Sequence, residues 1–335
     1  MTLSVAPMMD YTDRHYRYLL RLLTRRTILY TEMIPDSAIL FGNRHKFLKF
    51  NQAEHPVVLQ LGGSDANRLA ECASIGEDYG YDAINLNCGC PSDRVEKGNF
   101  GASLMATPTK VANIVEKIQK SISIPVTVKH RIGIQNAVHQ YQYSHLKEFV
   151  RTVSQSGVNH FIVHARIAIL SKLTPAENRN IPPLDYNTVY QLKQDFPHLK
   201  IEINGGIHSL QETLEHLNFV DGAMIGRSAV SDPYLFANAD QIIFNEKSAP
   251  LSRIEVVQSY LPYVYQVITD EKIRVHHTLR HIANIFAGQP GGRLFRRFLS
   301  EKIFIRKDWQ SSSLELAMHQ ALNQLNDYSE ALVDK

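Results

Sequence analysis

Short apolar runs rich in β-branched residues alternate with amphipathic stretches from the N-terminus to about residue 230. The short runs predict eight β-strands, and the stretches with apolar residues every three or four positions predict helices between them. The predicted strands cover residues 3–6, 28–32, 57–61, 83–87, 126–130, 160–164, 200–203 and 222–225. The predicted helices cover residues 65–79, 108–121, 144–156, 187–196 and 209–217.

This alternation of strands and helices, without tight-turn signals, predicts parallel strands joined by crossover helices. Eight such units in this length of chain fit a (β/α)8 TIM barrel, an α/β fold. A doubly wound open sheet is the alternative, but that fold would place a glycine fingerprint after its first strand. Pro7, Met8 and Met9 stand there instead.

The pattern changes beyond about residue 240, where strand signals fade. Helical periodicity continues at residues 254–268, 275–286, 294–304 and 314–325, with a glycine-rich break at residues 288–292. We therefore predict two domains, a barrel over residues 1–240 and a small C-terminal helical domain over residues 241–335.

Composition excludes several classes of protein. The 335-residue chain is 44% hydrophobic, which is enough for a large core and argues against disorder. Its three cysteines cannot form a disulfide framework, and the N-terminus lacks the pattern of a signal peptide. No apolar run approaches the roughly 20 residues that span a bilayer. We expect a cytoplasmic protein without a membrane anchor, a monomer with no obligate protein partner.

Charge is concentrated in one segment. The whole chain carries a net charge of only +3. Residues 271–310 contain nine basic and three acidic residues, a net charge of +6. The basic residues are Lys272, Arg274, Arg280, Arg293, Arg296, Arg297, Lys302, Arg306 and Lys307. Such a concentration is typical of a nucleic-acid-binding surface, although a solvated helix face would give the same pattern. A second basic stretch contains Arg14, Arg17, Arg21, Arg25 and Arg26.

Candidate chemistry lies at the predicted strand ends, where barrel enzymes place their active sites. Asn204-Gly205-Gly206 and Gly226-Arg227 follow the seventh and eighth strands, the usual phosphate-binding corner of such barrels. Glycines let backbone amides approach a phosphate closely, and an arginine adds a charged donor. Together the two motifs favour a phosphorylated cofactor.

Lys129, His164 and Gln60 also stand at strand ends. A cation and a donor there suit the negative charge of a reduced flavin, and an amide suits the polar edge of its ring. Cys90 follows the fourth strand between Gly89 and Pro91, which indicates a proton donor or nucleophile. The cysteine spacing does not fit zinc, and we expect no metal.

The motifs, taken in order, resemble the tRNA-dihydrouridine synthases, and within them the DusA subgroup. The resemblance covers nearly the whole chain. It is carried by Val5-Ala6-Pro7-Met8-Met9-Asp10, Gln60-Leu61-Gly62-Gly63, Asn85-Leu86-Asn87-Cys88-Gly89-Cys90-Pro91-Ser92, Lys129-His130-Arg131, His164-Ala165-Arg166, Glu177-Asn178-Arg179, Asn204-Gly205-Gly206, Gly222-Ala223-Met224-Ile225-Gly226-Arg227 and Gly288-Gln289-Pro290-Gly291-Gly292-Arg293. Two positions depart from the family pattern, since Cys88 replaces a usual valine and Ser103 a frequent cysteine.

The resemblance implies an FMN enzyme that uses NADPH to reduce uridine to 5,6-dihydrouridine in the tRNA D-loop, at positions 20 and 20a. It implies that Cys90 is catalytic. The implied FMN-binding residues are Pro7, Met8, Met9, Gln60, Lys129, His164, Asn204, Gly205, Gly206, Gly226 and Arg227. The expected tRNA contacts are Asn87, Asn178, Arg179, Arg293, Arg296 and Arg297.

Two other functions remain open at this point. A small-molecule flavin enzyme, similar to the dihydroorotate dehydrogenases, would share the barrel and FMN, but it would have no use for a basic helical domain. A non-catalytic RNA-binding protein on a barrel would not need the set of Gln60, Cys90, Lys129, His164 and Arg227.

Overall fold

The computed structural model describes residues 1–92, 98–136, 140–170, 172–247, 249–306 and 308–333. The chain divides into two compact units. The first, here called the barrel unit, comprises Met1–Thr12 and Thr27–Gly226. The second, here called the helical unit, comprises Asp13–Arg26 and Arg227–Lys335. The domain boundary predicted at residue 240 lies inside the helical unit.

Eight parallel strands form the sheet of the barrel unit within the described residues. The strands are β1 (Thr2–Val5), β2 (Leu29–Pro35), β3 (Val57–Gly62), β4 (Ala83–Cys88), β5 (Val126–Gln135), β6 (His160–Ile169), β7 (Lys200–Asn204) and β8 (Gly222–Ile225). Each strand pairs with its sequence neighbour from β2 to β8, and β8 pairs with β1. A parallel bridge between Ser4 and Ile28 joins β1 to the start of β2. The predicted (β/α)8 barrel is therefore confirmed.

Helices connect the strands as the periodicity predicts. Those of eight or more residues in the barrel unit are Ala66–Asp78, Pro108–Ser121, Tyr143–Ser154, Tyr186–Asp195 and Leu210–Leu217, and each lies within two residues of its predicted bounds. Side-chain caps explain where several begin. Asp65 accepts hydrogen bonds from two backbone amides of the helix that follows it, and Ser209 accepts one.

The two faces of the barrel strands have different compositions. Residues such as Leu59, Ile84 and Val128 are fully buried, and alternation along the strands turns them towards the surrounding helices. The opposite, interior face carries a small apolar cluster of Ala6, Tyr30, Val58, Ala83, Ile162 and Met224. Further polar residues share that face. One is the fully buried Glu202, whose carboxylate accepts hydrogen bonds from Ser4 Oγ and from His160 Nε2.

Strands β5 and β6 are longer than predicted. The prediction ended them at residues 130 and 164, where polar residues begin. The structure continues both, and Gly133, Ile134 and Gln135 pair with Ile167, Ala168 and Ile169 beyond an irregularity after Arg131. Arg131 and Arg166 can remain in the ladder here because Arg131 donates to the Gly89 and Asn178 carbonyls and Arg166 donates to the Pro182 carbonyl.

The helical unit is built from α-helices with short 3₁₀ and π turns between them. The helices are Arg14–Leu23, Arg227–Ser231, Ala239–Ile242, Arg253–Asp270, Val275–Leu279, Gly292–Phe298 and Ser311–Val333. The 3₁₀ turns are Pro233–Asn238 and Arg280–Asn284, and the π turn is Leu299–Ile303. No helix in the described part of the chain is long and apolar enough to cross a bilayer.

The basic stretch near the N-terminus is integrated into the helical unit. Its helix, Arg14–Leu23, was not among the predicted elements. Arg17 is only 4% exposed, and Arg14 forms a 2.6 Å ion pair with Glu271. Arg14 and Arg17 therefore stabilise the unit from within, whereas Arg25 and Arg26 at the end of the stretch are exposed and form ion pairs with Glu246.

Asp240 fixes the end of that same stretch. Its carboxylate accepts hydrogen bonds from Thr24 Oγ1 (2.6 Å), from the Arg25 amide (2.6 Å) and from the Arg26 amide (3.2 Å). We predict that Asp240→Ala lowers the free energy of unfolding by about 2–4 kcal/mol, because buried donors lose a charged acceptor. Denaturant unfolding measures this loss. The exposed Asp270→Ala should change it by less than about 0.5 kcal/mol, and equal losses in the two variants would contradict the prediction.

Candidate active site

A chain of hydrogen-bonded side-chain amides crosses the barrel interior. Asn85 Nδ2 donates to Thr127 Oγ1 (2.8 Å), and Gln60 Nε2 donates to Asn85 Oδ1 (2.7 Å). Asn87 Nδ2 in turn donates to Gln60 Oε1 (2.9 Å). All four residues are buried, so their donors and acceptors must be satisfied inside the protein. Each side chain in this hydrogen-bonded row therefore fixes the orientation of the next one.

The last amide of this chain holds the loop of Cys90. Asn87 Oδ1 accepts hydrogen bonds from the Gly89 amide (3.1 Å) and from the Cys90 amide (3.0 Å). The Cys90 carbonyl accepts a hydrogen bond from the Ala102 amide (2.9 Å). The Cys90 side chain is partly exposed just beyond the end of β4. Its thiol therefore stands at the end of the barrel where catalytic groups are expected.

The two departures from the family pattern lie in buried or bonded positions. Cys88 is the last residue of β4 and is fully buried, and burial raises the pKa of its thiol. Alternation along β4 places Cys88 on the face opposite Asn87. Ser103 donates a 2.9 Å hydrogen bond to the Phe100 carbonyl.

Lys129 places a cation in the barrel interior. Its Nζ donates to Asn204 Oδ1 (2.9 Å), and Asn204 Nδ2 donates to the Met224 carbonyl (2.8 Å). Burial, followed by repulsion from Arg131, lowers the pKa of Lys129 to about 7. A lysine with this pKa exchanges its proton near neutral pH, which suits a group facing an anionic ligand.

The turn after β7 requires glycine. Gly205 and Gly206 have φ values of 116° and 71°, in the region that L side chains rarely adopt. A Cβ at Gly206 would lie 2.4 Å from Leu184, and one at Gly205 would lie 3.4 Å from the His164 ring. The backbone after β7 and the imidazole of His164 are therefore neighbours. Backbone amides, an imidazole and the amine of Lys129 together form a donor set that suits a phosphorylated, anionic ligand.

The loop after β1 shows a different kind of surface. Pro7 and Met8 are partly buried, with Met8 packed against the interior apolar cluster, and Met9 is 54% exposed. The loop is held at Met8, whose amide donates to Thr12 Oγ1 (2.9 Å). These residues present an apolar edge that an aromatic ring system could contact.

Gly226 ends the barrel unit just after β8, and Arg227 begins the helical unit. A Cβ at Gly226 would lie 3.8 Å from Ala6, so an alanine would fit there without a clash. The geometry thus supports the phosphate-binding prediction most directly at Gly205 and Gly206.

Two of the six expected RNA contacts have other partners. Asn178 is fully buried; its amide group donates to the Ile169 and Leu173 carbonyls and accepts from the Ile169 amide. Its side chain anchors a loop and cannot face a tRNA, so the expected contact is corrected. Asn87 is 8% exposed and mainly holds the Cys90 loop.

The other four are accessible. Arg179 is exposed in the barrel unit, and in the helical unit Arg293 and Arg297 are exposed while Arg296 is partly buried. Arg297 forms an ion pair with Glu301 (3.0 Å). Lys307, also counted in the basic segment, lies outside the described residues.

The sequence motifs include Asn85 and Arg131 but assign no role to them, and Thr127 is not singled out there. Arg131 Nε donates to the Gly89 carbonyl (3.0 Å), directly beside Cys90. A signal for all three was present in the sequence. Polar residues recur at every second position in Asn85–Asn87 and in Thr127–Lys129–Arg131. This period of two marks one polar strand face, which in a closed barrel is the interior.

The chain resembles known proteins over almost its full length. The family model described as Dihydrouridine synthase (Dus) matches residues 4–323. The tRNA-dihydrouridine(20/20a) synthase of Synechocystis sp. is 54% identical over 303 residues, 90% of each chain. That of Shewanella oneidensis is 50% identical over 300 residues, 90% of this chain and 88% of the relative.

A solved structure of 2-naphthoyl-CoA reductase in complex with 2-naphthoyl-CoA is similar in fold. The superposition has a TM-score of 0.53 at 11% identity and covers 71% of this chain. This chain matches only half of the reductase chain, and the likeness concerns the fold alone.

We predict that Asn85→Ala destabilises the barrel by roughly 2–5 kcal/mol, because Gln60 and Thr127 each lose a buried partner. Denaturant unfolding of the variant measures the loss. The exposed Asn218→Ala, which also removes an amide from the barrel unit, should have little effect. An Asn85→Ala protein as stable as the wild type would show that the amide chain contributes no stability.

Proposed function

Because this chain belongs to the dihydrouridine synthase family, we propose that it reduces uridine to 5,6-dihydrouridine at positions 20 and 20a of tRNA, with FMN and NADPH. The family is flavin-dependent, and the choice of FMN and NADPH is part of the proposal. Family membership decides against the small-molecule dehydrogenase and the non-catalytic RNA-binding protein. The observation that carries the mechanism is the Cys90 loop, held beyond the end of β4 by the buried side chain of Asn87.

The barrel residues fit a bound FMN. The glycine turn of Gly205 and Gly206 leaves the backbone accessible to a phosphate. Lys129, Gln60 and His164 supply donors for the polar part of the ring. The remaining proposed contacts are Pro7, Met8 and Met9 on the apolar edge, with Asn204 and Gly226. Arg227 remains a phosphate ligand predicted from its place in the sequence.

The reaction adds a hydride to C6 of uracil and a proton to C5. When bound, the reduced flavin supplies the hydride, which NADPH has provided. Hydride addition at C6 leaves negative charge on the uracil, which is neutralised when C5 takes up a proton. The Cys90 thiol is the proposed donor of that proton. Lys129 in its ammonium form stabilises negative charge beside the ring. The target base must leave the tRNA stack to reach these groups.

The tRNA is the proposed partner, and its phosphates would be neutralised by arginines. Arg179 is exposed in the barrel unit, and Arg293, Arg296 and Arg297 are the proposed contacts of the helical unit. A cytoplasmic monomer remains the expectation from the sequence.

The proposed function is tested with tRNA from a strain that lacks this gene. Purified protein with NADPH should form dihydrouridine at positions 20 and 20a, and the bound cofactor released by heat should be FMN. Sequencing or mass mapping of the D-loop identifies the modified positions. Absence of product with flavin-loaded protein would refute the function, and product at other positions would refute only the site assignment.

We predict that Cys90→Ala retains flavin and accepts electrons from NADPH but is reoxidised by tRNA about 10² to 10⁴ times more slowly, because the general acid is lost. Single-turnover reoxidation of pre-reduced protein by tRNA measures this rate. Cys88→Ala is the matched control, because its thiol is buried on the opposite face of β4. If Cys88→Ala were slow and Cys90→Ala normal, the assignment of the acid would be wrong.

We predict that flavin reduction by NADPH slows as pH rises from about 6 to about 8. The pKa of Lys129 is lowered to about 7, so its ammonium form is lost over this range. Lys129→Met should be slow at both pH values, whereas the exposed Lys120→Met should follow the wild type. Rapid-mixing absorbance measures the rates, and a flat wild-type profile would contradict the role of Lys129.

We predict that replacing Arg293, Arg296 and Arg297 together by glutamine weakens tRNA binding and reduces its salt dependence, because phosphate contacts are lost. Binding titrations at several salt concentrations measure both effects. Flavin reduction by NADPH should be unchanged. Unchanged tRNA affinity in this triple variant would place the RNA surface elsewhere.

A further inference from the structure

Arg131 contacts three separate segments of the barrel unit. Its Nε donates to the Gly89 carbonyl (3.0 Å). Its Nη1 donates to the Ile167 carbonyl (3.0 Å) and to the Asn178 carbonyl (3.0 Å). Arg131 is 4% exposed, so these bonds lie in a largely dry environment. One side chain thus joins the Cys90 loop, the end of β6 and the 3₁₀ turn Glu177–Arg179.

The contact with Gly89 has a direct consequence for Cys90. The Gly89 carbonyl and the Cys90 amide belong to one planar peptide unit. Arg131 holds that unit at its carbonyl, and Asn87 Oδ1 holds it at its amide. Hydrogen bonds at both ends therefore prevent the peptide unit that precedes Cys90 from rotating.

The peptide unit that follows Cys90 is also held. Its carbonyl accepts a hydrogen bond from the Ala102 amide, and its nitrogen belongs to Pro91, which fixes its own φ. With both flanking planes fixed, the φ and ψ angles of Cys90 are set. Only the χ1 rotation of the side chain then decides where the thiol points.

We propose that Arg131 is a positioning residue that sets the direction of the Cys90 thiol for proton donation to the uracil. This inference rests on the proposed function of Cys90. Arginine suits the task because its planar fork donates to carbonyls in different directions, which a lysine amine on a flexible stem cannot reproduce. The 3₁₀ turn held by the same guanidinium ends at the exposed Arg179, a proposed tRNA contact. Arg131 therefore links the segment that would meet the RNA to the loop that carries the acid.

A double-mutant cycle tests this proposal in the flavin-loaded protein. Arg131→Met should slow the single-turnover reoxidation by tRNA roughly 10- to 100-fold, the cost of a misplaced reacting group. Flavin content should stay at the wild-type value, and so should the rate of flavin reduction by NADPH at about pH 6, where Lys129 is mostly protonated with or without the charge of Arg131. In a Cys90→Ala background, Arg131→Met should add almost no further loss, because a residue that acts through Cys90 has nothing left to position. A purely structural role would instead give losses that multiply.

Two further measurements keep the proposal testable. Arg131→Lys retains the charge and covers the case in which Arg131→Met does not fold, and it should show the same selective loss. Arg44→Met is the control for the loss of an arginine–carbonyl hydrogen bond, because the exposed Arg44 donates to the Ile39 carbonyl of the barrel unit, away from the Cys90 loop. Alkylation of Cys90 by iodoacetamide, followed by mass spectrometry, should be several-fold faster in the Arg131 variants, because the loop is released. Cys72 and Cys88 are buried and serve as internal references.

The outcomes separate the proposal from the function on which it rests. If reduced wild-type protein is not reoxidised by tRNA, the proposed function fails, and alkylation alone then decides whether Arg131 holds the Cys90 loop. If the wild type is active, normal reoxidation in both Arg131 variants would overturn the proposal. So would multiplicative losses in the double variant, or an unchanged alkylation rate.

Discussion

The site depends on a continuous row of buried hydrogen bonds that begins inside the barrel and ends at the Cys90 loop. A buried amide has to satisfy both its donor and its acceptor, so each member of the row fixes the orientation of the next. Thr127, Asn85, Gln60 and Asn87 form the row, and Asn87 passes its geometry to the amide of Cys90. The strands of a closed barrel are rigid, and this row of hydrogen bonds ties the Cys90 loop to them, so the position of the loop is fixed as well.

The barrel separates stability from chemistry by strand face. Apolar residues on the outer face pack beneath the helices, where Cys88 is also buried. The inner face carries polar groups where apolar side chains could have packed. Burial there destabilises the charged forms of Lys129 and Arg131 and lowers their pKa values. Burial lowers the pKa of the first to about 7 and of the second to about 10. These cations are poorly solvated within the protein, which favours an anionic ligand or a carbonyl dipole beside them.

Some of the basic side chains in the helical unit form ion pairs within that unit. Arg280 forms a 2.7 Å ion pair with Asp13, and Arg14 pairs with Glu271. Arg280 and Arg14 are therefore committed to ion pairs within the unit, and the number of basic residues overstates the number of cations available to a partner. The exposed arginines of the helix Gly292–Phe298 remain the best candidates for contact with phosphates.

The sequence by itself predicted the barrel, because strand and helix periods are local properties that recur in eight units, and the missing glycine fingerprint after the first strand counted against an open sheet. It also indicated the Gly205-Gly206 turn, whose positive φ values the structure shows, and it predicted Cys90 as the acid, which stays a prediction. Only the tertiary structure decided the hydrogen-bond partners of Arg131 and Asn178, and the place of residues 13–26 in the helical unit. Those partners are backbone groups, several of them distant in sequence, such as the Gly89 carbonyl that Arg131 contacts. No local pattern of side chains encodes which carbonyl a buried guanidinium will meet.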